Sequence, residues 1–265
     1  VLGYGCNTLG RSIDEWRMEP DGDYRPLYYA LEAGYRYFDT AIDYHNEPAM
    51  GLFLSESSIP REELFISSKL PQRNKYICSK EATAGFIDRS LARFHTDHLD
   101  MFLIHRPCED VEGLLRAWRV IERYYKEGKI CAIGVSNFEI PLLKIFLAET
   151  DVKPMVNQVM INPGHWNREV VAFCKENDIR PTAWSPLRNL TEENRAELTE
   201  IGRAYGKSWA QVLLRFYLQS GISVVPKSHI REEVAQNIDI FDFSLTKAEL
   251  AAIDQMRGVA FEFKL

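Results

Sequence analysis

Four side chains with complementary chemistry stand just after short apolar runs of this 265-residue chain. Asp39 lies in Phe38-Asp39-Thr40-Ala41, Tyr44 in Ile42-Asp43-Tyr44-His45-Asn46-Glu47, Lys69 in Ser67-Ser68-Lys69-Leu70, and His105 follows Phe102-Leu103-Ile104. Taken singly, such a lysine reads as a snorkelling surface residue and such a histidine as a structural one. Together they are harder to dismiss, because buried charges need partners and are rare without a task. A free tyrosine titrates at about pH 10. An ammonium beside it favours the phenolate and lowers that value, and an aspartate partner keeps the lysine charged in a dry site. A tyrosine tuned in this way can protonate a developing alkoxide while a neutral histidine donates to the same oxygen. No metal is required; what is lacking is an electron source, so a hydride-carrying cofactor is implied.

Further strand-end groups suit such a cofactor. Gly134-Val135-Ser136-Asn137-Phe138 and Asn157-Gln158 offer hydroxyl and amide groups for a carboxamide, although alone they read as turn and capping residues. Ala183-Trp184-Ser185-Pro186-Leu187 puts an aromatic plane on the same rim, where a nicotinamide ring could stack, although a Trp in such a run is more commonly core. Val225-Pro226-Lys227-Ser228 precedes a helical segment, the usual phosphate-binding place after the last strands of a barrel.

The elements that must carry these residues follow from periodicity. Strand-like runs are predicted at Val1–Cys6, Tyr35–Ala41, Leu64–Leu70, Leu99–His105, Ile130–Val135, Met155–Met160, Arg180–Trp184 and Ser223–Pro226, with helical-period segments between them. Leu114, Leu115, Trp118, Ile121, Tyr124 and Tyr125 form the clearest helical stripe, and Gly34 and Gly128 stand where helices should end. Repeated β-then-α units leave a closed barrel or an open doubly wound sheet. The open sheet would want GxGxxG after its first strand. Gly3-Tyr4-Gly5-Cys6-Asn7-Thr8 supplies only GxG, with no helical segment directly after it. The expectation is an α/β protein, a single-domain (β/α)8 TIM barrel over residues 1–265, with its chemistry at the C-terminal ends of the strands.

Composition bounds the partners. The net charge of −6 is scattered, with no basic block or stripe, which argues against nucleic acid and anionic membrane. No apolar stretch is long enough to span a bilayer, and Val1-Leu2-Gly3-Tyr4-Gly5 does not resemble a signal peptide. Cys6, Cys78, Cys108, Cys131 and Cys174 form no CxxC pair, so a reducing cytoplasm is expected. The expected partner is a small-molecule carbonyl or alcohol, and the expected state is a monomer or weak homo-oligomer.

At full length, these motifs in this order resemble the aldo-keto reductase family. They are Phe38-Asp39-Thr40-Ala41 with Tyr44 and Asn46-Glu47, Lys69, Leu103-Ile104-His105 with Pro107, Gly134 to Phe138, Asn157-Gln158-Val159, Ser185-Pro186-Leu187 and Pro226-Lys227-Ser228. The resemblance implies that Tyr44 is the proton donor, Lys69 tunes it, Asp39 partners Lys69, and His105 orients the carbonyl. It implies that Ser136, Asn137 and Gln158 hold the nicotinamide carboxamide, with Trp184 stacking on the ring where family members commonly have Tyr. Gly5, Cys6 and Asn7 would touch the cofactor, and Ser185, Pro186 and Leu187 would line the pyrophosphate. Lys227, Ser228, Gln236 and Asn237 would hold the adenosine end. The family typically prefers NADP(H), bound extended and without a Rossmann fold.

This chain departs from that pattern at several places. Glu233 stands where the family usually has an Arg that grips the 2′-phosphate, which keeps NAD(H) open, with Lys227 and Arg231 close enough in sequence to compensate. Arg106 replaces the aromatic that usually follows the histidine; it would meet a polar substrate or pair with Asp43, Glu109 or Asp110. Asn7, Asp43 and Pro71 add no apolar bulk, so a polar mouth is expected. The chain opens at the first barrel strand, without the hairpin that usually plugs the barrel bottom, which leaves open residues upstream of Val1. Competing readings are a barrel that only senses the cofactor, disfavoured because a binder needs no Lys–Tyr pairing, and a Schiff-base aldolase or isomerase through Lys69, which leaves Tyr44 and Trp184 unexplained.

Overall fold

The computed structural model describes residues 1–9 and 23–260. Eight strands run in sequence order in one parallel sheet: β1 Tyr4–Gly5, β2 Tyr37–Asp39, β3 Phe65–Leu70, β4 Met101–Ile104, β5 Ile133–Ser136, β6 Val156–Met160, β7 Arg180–Trp184 and β8 Ser223–Val225. The sheet closes on itself where Gly3 donates to the Val224 carbonyl (2.8 Å), Val224 to Val1 (3.0 Å) and Gly5 to Pro226 (2.9 Å). This is the expected (β/α)8 barrel. Each strand overlaps its predicted run; the surplus at Leu99 and Ile130 survives as an isolated parallel bridge. Residues 10–22, where no helix was expected, lie outside the described residues.

The helices fill the gaps: α1 Arg25–Glu32, α2 Glu47–Glu56, α3 Asn74–Ile77, α4 Lys80–Arg93, α5 Val111–Lys126, α6 Ile140–Glu149, α7 Arg168–Glu176, α8 Glu192–Arg203, α9 Trp209–Gln219, α10 Arg231–Ile238 and α11 Lys247–Gln255. Gly34 and Gly128 end α1 and α5 with φ of +100° and +76°, a left-handed turn that only glycine adopts cheaply. On α5, Leu114, Leu115, Trp118, Ile121 and Tyr124 are buried, each such side chain stabilising the fold by about 1.5–3 kcal/mol. The Trp118 indole meets Phe146 edge-on at 5.5 Å and donates to the Val152 carbonyl at 3.0 Å.

Strand alternation sorts the sheet into two faces. Phe38, Ile66, Phe102, Ile104, Ile133 and Val135 belong to the main core shared with the helices. Tyr37, Met101, Leu103 and Val225 form a separate cluster that fills the barrel. Gly134 faces the same interior, and a Cβ there would come within 2.6 Å of the Val156 carbonyl oxygen and 2.8 Å of a Leu103 methyl. Counting on by twos from these inward residues leads to Asp39, Lys69, His105, Ser136, Gln158, Trp184 and Lys227 at the C-terminal ends. Among the described residues, no helix is long and apolar enough to cross a membrane.

Candidate active site

Asp39 and Lys69 come from neighbouring strands, where Asp39 is level with Ser67. The Lys69 Nζ donates to both Asp39 carboxylate oxygens (2.5 and 2.6 Å) and to the Thr40 carbonyl (2.7 Å). Both side chains are almost fully buried. Gln158 donates to the same carboxylate at 3.0 and 3.1 Å, so the buried charge is fully coordinated. Tyr44 comes from a 3-10 turn, Ile42–Tyr44, just beyond β2. Its ring lies with the Lys69 Nζ 5.4 Å from the centroid and meets the His105 ring edge-on at 5.6 Å. The sequence thus brings Asp39, Tyr44, Lys69 and His105 to one place.

Their electrostatics depart from the sequence expectation at one point. The Tyr44 phenol is pushed above the ordinary tyrosine value, first by burial and then by the Asp39 carboxylate, with Arg106 acting in the opposite sense. Lys69 was expected to lower it. Its ammonium is instead directed at Asp39 and Thr40, whose oxygens accept its hydrogen bonds. His105 is held well below the usual histidine range by burial, then by Lys69, Arg106 and Arg73. Its Nδ1 is buried without a hydrogen-bond partner among the described residues, 3.9 Å from an Asp43 oxygen.

A cavity of about 670 Å³ opens from these residues. Gly5, Cys6, Asn7, Asp39, Ser136, Asn137, Gln158, Trp184, Ser185, Pro186, Leu187, Lys227, Glu233, Gln236 and Asn237 all line it, as do Tyr44, His105 and Arg106. A network shapes the middle of the wall. Asn137, at φ +61°, donates to the His105 carbonyl (3.1 Å) and the Ser136 hydroxyl (3.0 Å), and accepts from the Trp184 indole (2.9 Å). The Ser136 hydroxyl donates to the Gln158 carbonyl at 2.7 Å. Gly5 is needed where the chain passes Val225, since a Cβ would stand 2.9 Å from that carbonyl oxygen.

Some predicted residues sit elsewhere than the cavity wall. Lys69 lies behind Asp39. Ser228 lies behind Glu233, donating to its carboxylate (2.5 Å) while accepting from the Ile230 amide (3.0 Å). Arg231 lies off the cavity wall, where its guanidinium pairs with Glu32 at 2.5 Å, over the Tyr29 ring. Asp43 pairs with Arg73, and Asp110 lies 3.8 Å from Arg116. The mouth is also less uniformly polar than expected. Asn7 and Arg106 line it, Asp43 and Pro71 do not, and Met160 and Trp209 add apolar wall.

Sequence reasoning missed Arg188, which lines the cavity and helps burial to lower the Lys227 pKa. It directly follows Ser185-Pro186-Leu187, and that adjacency was the available signal. It also missed Thr8, which accepts from Lys227 at 2.5 Å, and the start of α9, where Ser208, Trp209 and Ala210 reach the wall. The Ser208-to-Gln211 capping box was visible in the sequence.

A sequence profile described as the Aldo/keto reductase family matches residues 1–257. The chain belongs to the aldo/keto reductase family. Among its relatives within the family is a glyoxal reductase of Bacillus subtilis, 41% identical over 86% of this chain and 80% of that protein. A methylglyoxal reductase of Escherichia coli O157:H7 is 35% identical over 91% and 86% of the two chains. A Bombyx mori aldo-keto reductase solved in complex with NADP superposes with a TM-score of 0.83 at 29% identity, covering 96% of this aldo/keto reductase and 88% of that chain.

The cavity's own groups fit an extended dinucleotide. Lys227 and Arg188 suit phosphate, Trp184 with the Ser136 hydroxyl and the Asn137 and Gln158 amides suits a ring bearing a carboxamide, and Tyr44 and His105 share the same wall.

Proposed function

We propose that this protein reduces aldehyde and ketone carbonyls to alcohols with NADPH, and that its substrates are small polar carbonyls of the 2-oxoaldehyde type. The observation that carries the reading is the meeting of a protonated Tyr44, a neutral His105 and the Asp39–Lys69 pair at a cavity whose wall also carries Lys227 and Arg188. The relatives named for glyoxal and methylglyoxal support the substrate class, and the NADP complex supports the cofactor. The five free cysteines fit a reducing compartment such as the cytoplasm.

A nicotinamide, when bound, would supply the hydride. Tyr44 gives its phenolic proton to the carbonyl oxygen as negative charge grows there, so that the carbonyl carbon gains hydride, the oxygen gains the proton and an alcohol leaves. His105 stays neutral and offers one N–H to the same oxygen. Lys69 neutralises Asp39, which otherwise would oppose ionisation of Tyr44 more strongly. Ser136, Asn137 and Gln158 would hold the carboxamide, and Trp184 would cover the ring. Lys227 and Arg188 would meet the phosphates, and Gln236 and Asn237 the adenosine.

Tyr44→Phe tests the reading. Turnover should fall by about two to four orders of magnitude, while cofactor affinity, followed by tryptophan fluorescence, stays within about twofold. Retention of most of kcat would sink the assignment. Glu233 lines the cavity, and a carboxylate facing the 2′ position would repel a phosphate and accept from a ribose hydroxyl. NADPH preference should therefore be weak, and Glu233→Arg should move the NADPH-to-NADH ratio of kcat/KM by about tenfold or more. An unchanged ratio would mean that Glu233 does not face the 2′ position.

A further inference from the structure

The N-terminal ends of β4 and β5 carry three side chains that carbonyl reduction does not use. Leu99 and Ile130 form a parallel bridge, and Cys131 donates its amide to the Leu99 carbonyl at 2.9 Å. Asp100 and Cys131 therefore stand side by side on adjoining strands. His98, two residues before Asp100, falls on the same side of its strand. Imidazole, carboxylate and thiol present ligand atoms that all lie within 4.8 Å of one another.

We propose that His98, Asp100 and Cys131 bind a divalent transition-metal ion of the zinc type, at the barrel end opposite the reductase cavity. The surroundings already orient the ligands. Asp97 accepts from the His98 Nδ1 at 2.7 Å, which leaves the Nε2 lone pair free to ligate, 3.9 Å from an Asp100 oxygen. A carboxylate behind the imidazole is the arrangement that metal-bound histidines use. The other Asp100 oxygen is anchored by Arg61 (2.7 Å) and the Ile66 amide (2.8 Å), and this fixes the remaining oxygen toward His98.

Sulfur and imidazole together select zinc-like ions over magnesium or calcium. Metal–ligand bonds of about 2.0–2.3 Å require the three atoms to close in slightly, which rotation of the exposed Cys131 and the partly exposed His98 permits. Water completes a tetrahedron. Asp97, Asp100 and a Cys131 thiolate outweigh the single Arg61 guanidinium, so a dication is welcome. Sulfur ligates as the thiolate, so binding must displace the Cys131 proton and strengthen as pH rises.

The test uses the full chain, freed of metal with a chelator and without cofactor or substrate, titrated with Co²⁺ and then Zn²⁺. The expected result is one Co²⁺ per chain with a thiolate-to-cobalt charge-transfer band, displaced by Zn²⁺ with release of about one proton. Cys131→Ser should abolish the band, His98→Gln should weaken Zn²⁺ binding by about tenfold or more, and Zn²⁺ should raise Tm in the parent chain but not in Cys131→Ser. Both variants should melt like the parent without metal and reduce carbonyls at its rate. Absence of the band, or a band and affinity unchanged in both variants, overturns the proposal. Because the titration needs no turnover, its outcome is independent of whether the reductase reading holds.

Discussion

At Lys69 the demands of stability and of the proposed chemistry meet. It is 1% exposed, and its ammonium donates hydrogen bonds to Asp39 and Thr40. Lys69→Met should cost about 3–5 kcal/mol, because Asp39 is left as an uncompensated buried charge. Adding Asp39→Asn should restore most of that stability in urea unfolding without restoring turnover; recovery of both would mean that the pair is purely structural. His105 yields a pH prediction. Its folded pKa is depressed, so between that value and about 6.5 the unfolded chain binds a proton that the folded chain refuses. Stability is then lost as pH falls below about 6.5, at up to about 1.4 kcal/mol per pH unit from this group. His105→Gln should remove that slope, and an unchanged slope would show that His105 titrates normally. The identities of these residues were legible because each follows a strand-like run. The direction of the Tyr44 shift was not, because it depends on which groups accept the Lys69 hydrogen bonds, and sequence spacing does not say.

At the scale of elements, all eight strands were legible, since β-branched and aromatic runs alternating with helical stripes leave few architectures. Arg188 and the start of α9 were not, because the segment from β7 to α9 contributes wall through its path and not through a strand end. Within β5, Gly134 marks a tight spot of the barrel interior. Gly134→Ala should cost about 1–3 kcal/mol by overpacking against the Val156 carbonyl and Leu103, read as a lower urea midpoint with an unchanged m-value. A neutral outcome would show that the interior has slack. Trp118→Ala on α5 should cost about 3–5 kcal/mol while leaving cofactor affinity alone, since Trp118 packs on Phe146 and Val152, away from the cavity.

Over the whole molecule, a net charge of −6 surrounds a cavity whose wall carries Arg106, Arg188 and Lys227 against Asp39, already paired with Lys69, and Glu233. Such a local reversal of sign concentrates anions at the mouth and is screened by salt. The cofactor Kd should therefore rise with ionic strength, and rise less steeply in Arg188→Gln; equal slopes would remove Arg188 from the phosphate end. The seam that closes the barrel joins the two ends of the chain, for Tyr4 donates to the Ser228 carbonyl at 2.6 Å across 224 positions of sequence. Gly5 and Cys6 thus face Lys227 and Asn237 over the same cavity. Seen in time, as the chain leaves the ribosome from its first residue onward, the first wall of the pocket must wait for nearly every later residue before its opposite wall exists. The cavity closes only once β8 and α10 have been made, and a nascent chain stopped after β7 would hold the chemical groups of Tyr44, Lys69 and His105 with no closed vessel around them.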